Sequence, residues 1–143
     1  MKLIKNIEHS EVLPLAEQVA YQDGQIVSKT LAQNSRHSLT LFAFEKDEEI
    51  SSHESTGDAM VLALDGIGRI TIDGKEYFLN KGEVIVMPAG VLHAVYAEER
   101  FKMLLTVSFP EQYKKPCPWG FHHMSKAEKC TVFNCTTASR VSI

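Results

Sequence analysis

Histidine is the residue type in this chain with the most chemistry to offer. His53 stands among Glu54, Ser55 and Asp58, and His93 follows Pro88, Ala89 and Gly90. A neutral imidazole can ligate a transition metal, and it can pass a proton near neutral pH because its ordinary pKa is about 6.5. A firm first-row metal site needs three or four imidazole, thiolate or carboxylate donors, so two histidines need help. A lone histidine on a strand is more often a hydrogen-bonded rim residue. The tail holds a second set of possible ligands: Cys117, His122, His123, Cys130 and Cys135. Zinc accepts such donors, but structural zinc sites use pairs spaced two to four residues apart, which this run lacks. These cysteines read as ordinary thiols.

Short strands must position these groups. Period-two patterns and turn residues predict eight strands, over residues 25–31, 38–44, 59–64, 69–72, 76–79, 83–87, 92–97 and 101–109. Asp73-Gly74 is a hairpin signal, since both residues tolerate the positive φ that suits twisted strands. Residues 46–58 are acidic and rich in Ser and read as a loop. With no helical period between the strands, the fold class is all-β, a barrel or sandwich. Residues 1–24 form a lead-in with one short helical turn near Pro14. Residues 25–109 form the barrel. Residues 110–143, broken by Pro110, Pro116 and Pro118, form an extension that packs on the barrel or stays partly flexible.

The bulk properties narrow the function classes. A chain of 143 residues suits one domain, and 44% hydrophobic against 23% charged residues supports a packed core. A net charge of −3 argues against a nucleic-acid partner, because phosphate binding needs a basic face. No apolar run approaches the roughly 18 residues of a membrane span, and no secretory leader is recognisable. Three cysteines, all after residue 116, fit a reducing cytoplasmic setting.

Gly82, Pro88, Gly90 and His93 carry a resemblance. Their spacing is similar to the second cupin motif, which ends in an Asn where this chain has Ala97. The first cupin motif is degraded: His53 matches its first His, Ser55 stands at the second and Ala59 at the Glu, before Gly66. The resemblance covers about residues 36–109. It implies a jelly-roll barrel, the cupin double-stranded β-helix. It also implies a ligand pocket centred on His53 and His93, where cupins hold Fe, Mn, Zn, Ni or Cu.

Ser and Ala are poor replacements for His and Glu, so the resemblance implies a weakened or absent divalent-metal site. Asp58 is the possible third metal ligand beside His53 and His93, provided residues 56–58 bend; on a straight strand it faces away from Ala59. Candidate wall residues are Met60, Leu62, Ile70, Ile72, Val84, Val86, Met103 and Leu105, with plain core the bland reading for most. Ser55 and Tyr96 complete the ligand-binding candidates, Tyr96 either offering a hydroxyl at the mouth or, as the commoner role, packing as a rim tyrosine. Three functions stay open: a small-molecule-binding cupin, a metal-dependent dioxygenase or isomerase, and a metal-free histidine acid–base isomerase. Fold analogy adds a homodimer, with residues 1–31 able to supply an exchanged strand.

Overall fold

Alternation of apolar and polar side chains becomes pleated strand along most of the chain. The computed structural model describes residues 2–111. It contains β1 (Ile26–Gln33), β2 (His37–Phe44), β3 (Glu49–His53), β4 (Asp58–Asp65), β5 (Ile67–Ile72), β6 (Lys75–Asn80), β7 (Val84–Met87), β8 (His93–Ala97) and β9 (Phe101–Ser108). A single 3-10 turn, Leu15–Gln18, precedes them. The strands make two antiparallel sheets, ordered β1-β2-β9-β4-β7 and β3-β8-β5-β6. The fold is the all-β jelly-roll barrel.

The two sheets face each other across one core. β9 lies at the centre of the larger sheet and buries Phe101, Met103, Leu105 and Val107 on its inner face, turning Lys102, Leu104 and Thr106 outward. β4 contributes Ala59, Val61 and Ala63, and β8 contributes Val95 and Ala97. Phe44 and Phe101 are fully buried, their ring centroids 5.9 Å apart. Each large side chain buried this way stabilises the fold by about 1.5–3 kcal/mol before entropy is counted. Asp73 and Gly74 join β5 to β6 with φ of 50° and 79°, the paired positive values of a tight hairpin.

The lead-in covers the outer face of the larger sheet. Ile7, Leu15, Val19 and Tyr21 pack with Leu31, Leu41 and Leu104 in a second apolar cluster. The Lys5 amide donates to the Leu31 carbonyl at 2.6 Å, and the Tyr21 hydroxyl donates to Asp65 Oδ2 at 2.6 Å. No helix among the described residues is long and apolar enough to cross a membrane.

The described residues hold nine strands where the sequence predicts eight. The addition, β3, lies inside the stretch read as a loop. It is an edge strand paired only with β8, and Ile50 is its one side chain packed against the core. An edge strand with one wet face tolerates Glu and Ser, so composition alone marks it as loop. The extension from residue 112 on, with Cys117, His122, His123, Cys130 and Cys135, lies outside the described residues.

Candidate functional site

β3 and β8 bring the two histidines together. His53 is the register partner of His93, and Ile50 is that of Val95. His53 lies three positions beyond Ile50 along β3, but His93 lies only two positions from Val95 along β8. The spare residue is absorbed in a register shift between Ile50 and His53. This matters because Ile50 packs inward, and strict alternation would send a side chain three positions later outward. The bulge re-aims His53 onto the face of His93. On β8, alternation buries His93, Val95 and Ala97 together.

The rings meet edge to face, with centroids 4.4 Å apart at 73°. Nε2 of His93 lies 3.1 Å from Nε2 of His53. Each Nδ1 contacts the backbone carbonyl two residues earlier: Ser51 for His53 at 2.7 Å, and Val91 for His93 at 3.2 Å. A carbonyl oxygen only accepts, so with both Nδ1 contacts read as hydrogen bonds each Nδ1 carries its ring's hydrogen, and in the neutral rings both Nε2 atoms are then bare acceptors. His93 is 1% exposed. Burial first, and the neighbouring charge of His53 second, hold its pKa below the ordinary histidine value, against a smaller upward pull from the Val91 carbonyl.

The loop that delivers His93 is pinned from both sides. Asp58 Oδ1 accepts from the Ala89 amide at 2.8 Å, and the Ser55 carbonyl accepts from the Gly90 amide at 2.9 Å. Gly90 has φ of 73°, which favours glycine at this bend. Leu92 accepts from the Asp73 amide at 2.8 Å, tying the loop to the β5–β6 turn. Ser55 Oγ accepts from the Gly57 amide at 3.2 Å.

The other candidates scatter. Met103 is buried in the core between the sheets. Met60 points outward and is 42% exposed, and Val84 and Val86 on the neighbouring β7 are exposed too, so these three do not line the interior. Tyr96 also faces outward. It lies three positions from His93, so alternation turns it to the other face, where its hydroxyl donates to Asp47 Oδ1 at 2.7 Å and Arg69 stacks 4.3 Å from its ring centroid. The carbonyls of Ser51 and Val91, which set both tautomers, carry no side-chain signal that a sequence reading could detect.

The model for the Cupin domain matches residues 40–108. A cupin superfamily protein from Desulfitobacterium hafniense is 34% identical, covers 75% of this chain and 98% of its own, and superposes with a TM-score of 0.72. The chain belongs to the cupin family. A protein of unknown function from Streptococcus pyogenes resembles this cupin at 48% identity, over 78% of this chain and 97% of the other, with a TM-score of 0.76. A Cupin 2 conserved barrel domain protein from Leptotrichia buccalis is 47% identical over 66% of this chain and 46% of its own, with a TM-score of 0.65. Among curated proteins, none matches.

The family implies a divalent metal at this place, and the donor set does not fit one. Two imidazole nitrogens 3.1 Å apart could flank an ion at about 2.0–2.1 Å from each, but they fill only two positions. Asp58, the proposed third ligand, is exposed and engaged with Ala89. Ala59 offers no donor atom. No group of three His, Cys, Asp or Glu side chains among the described residues could hold a metal ion.

Proposed function

We propose that this cupin binds a small organic molecule at the His53–His93 pair, without a fully liganded metal ion. One observation carries the reading: two inward-facing imidazoles in Nε2-to-Nε2 contact at 3.1 Å, with no third metal-ligating side chain beside them among the described residues. The test is metal analysis of protein purified without chelator. The reading expects less than stoichiometric Fe, Mn, Zn, Ni or Cu. A full equivalent that disappears in both His53→Ala and His93→Ala would defeat it.

A metal-free acid–base isomerase is the second reading. It is favoured by the bare Nε2 atoms, either of which can take a proton from a bound substrate. That reading requires turnover that varies with pH and vanishes when one histidine is replaced. We further propose a cytoplasmic homodimer, by analogy with other small cupins; a monomeric mass by light scattering at micromolar concentration would refute the dimer.

A further inference from the structure

Each ring of the pair commits its Nδ1 hydrogen to a carbonyl oxygen of its own strand or loop. The neutral rings therefore meet lone pair to lone pair, 3.1 Å apart. Two acceptors at that distance repel unless a cation or a hydrogen relieves them. A metal ion, a proton or a donor group of a bound molecule could each do so. A metal lacks its third protein ligand among the described residues. A shared proton would make the pair cationic, yet among the described residues no carboxylate joins the two rings to balance the charge. The position of His93, almost wholly buried, adds a desolvation cost to that charge. A neutral donor carries neither cost.

We infer that the His53–His93 site selects a neutral molecule presenting two adjacent hydrogen-bond donors, of the cis-diol or urea type, with one donor to each Nε2. This rests on the reading that the pair lies in the ligand site. Carboxylates are disfavoured, because their lone pairs would face two further lone pairs. Water offers the same two donors, so a ligand gains over it chiefly through the rest of its surface. A site built from buried acceptors discriminates strongly against molecules that leave them unpaired.

The experiment uses the 15N-labelled full chain at pH 8, treated with chelator. Long-range 1H–15N spectra should show both rings protonated at Nδ1 and bare at Nε2. The chain is then titrated separately with cis-1,2-cyclohexanediol, imidazolidin-2-one, cyclohexanecarboxylate and Zn²⁺. Diol or cyclic urea should move both Nε2 resonances at concentrations at least tenfold below those needed with the carboxylate, and the two arms tell diol from urea chemistry. In His53→Phe, checked for its fold by its melting curve, that preference should vanish. Carboxylate preference, an Nε2 hydrogen on either free ring, or stoichiometric zinc uptake at the pair would overturn the donor assignment; of these, only zinc uptake would also overturn the metal-poor site. If no probe moves either ring, the pocket reading falls and this inference with it.

Discussion

Alanine should be tolerated far better at Gly74 than at Gly66, although the two glycines have almost the same backbone angle. Their φ values are 79° and 70°. A side chain in this left-handed region costs about 1–2 kcal/mol, and the lower entropy of the unfolded alanine chain returns about 0.4–1 kcal/mol. At Gly74 a new Cβ meets nothing within 4 Å, so the expected net loss is about 1 kcal/mol or less. At Gly66 the same Cβ would be driven onto the Arg100 carbonyl oxygen and would stand 3.2 Å from the Phe101 Cα. Both are backbone atoms and cannot rotate away, and Phe101 is fully buried against Phe44. Forcing such a shift adds about 1–3 kcal/mol. A domain of this size should melt about 3–4 °C lower for each kcal/mol lost. Thermal and urea unfolding of Gly66→Ala, Gly74→Ala and the parent chain would measure the gap. Equal losses at the two sites would refute the idea that the close approach of Arg100, rather than the backbone angle, demands glycine at position 66.

Three further outcomes are expected. The depressed pKa of His93 means that the unfolded chain takes up its proton first as pH falls. This contribution is complete above about pH 6.5 and is lost below it, at no more than about 1.4 kcal/mol per pH unit. Urea unfolding at pH 7.5 and 5.5 should show a smaller difference in His93→Gln than in the parent, and identical differences would count against a buried neutral His93. Asp58→Ala should lose about 1 kcal/mol with the Ala89 contact and shift the His93 ring resonances, whereas Asp58→Asn, which keeps an acceptor, should shift them less. Deleting Ser52 should straighten β3 and leave the histidine facing His93, because one intervening residue after Ile50 already satisfies the register. Loss of the ring-to-ring contact in NMR spectra of that deletion would contradict the bulge argument.

Asp73-Gly74 announces its hairpin because few other residue pairs adopt two positive φ angles, and the structure has that turn. The alternation in β9 is visible for a similar local reason: Phe101, Met103, Leu105 and Val107 recur at the period of the pleat. Tyr96 could have been placed correctly from the same rule, since its odd separation from His93 turns it to the opposite face. β3 could not, because an edge strand with one packed side chain has the composition of a loop.

Local residue order thus determined the turns, most strands, the inward faces and the Gly82-to-His93 spacing, since each depends on steric preferences acting over a few residues. Only the tertiary structure decided that His53 faces His93 across 40 positions of sequence, that a bulge reverses its alternation, and that two backbone carbonyls set both tautomers. It also sent the Asp58 carboxylate to the Ala89 amide. These depend on the register between strands distant in the chain, which the packing of two whole sheets sets and no short segment encodes.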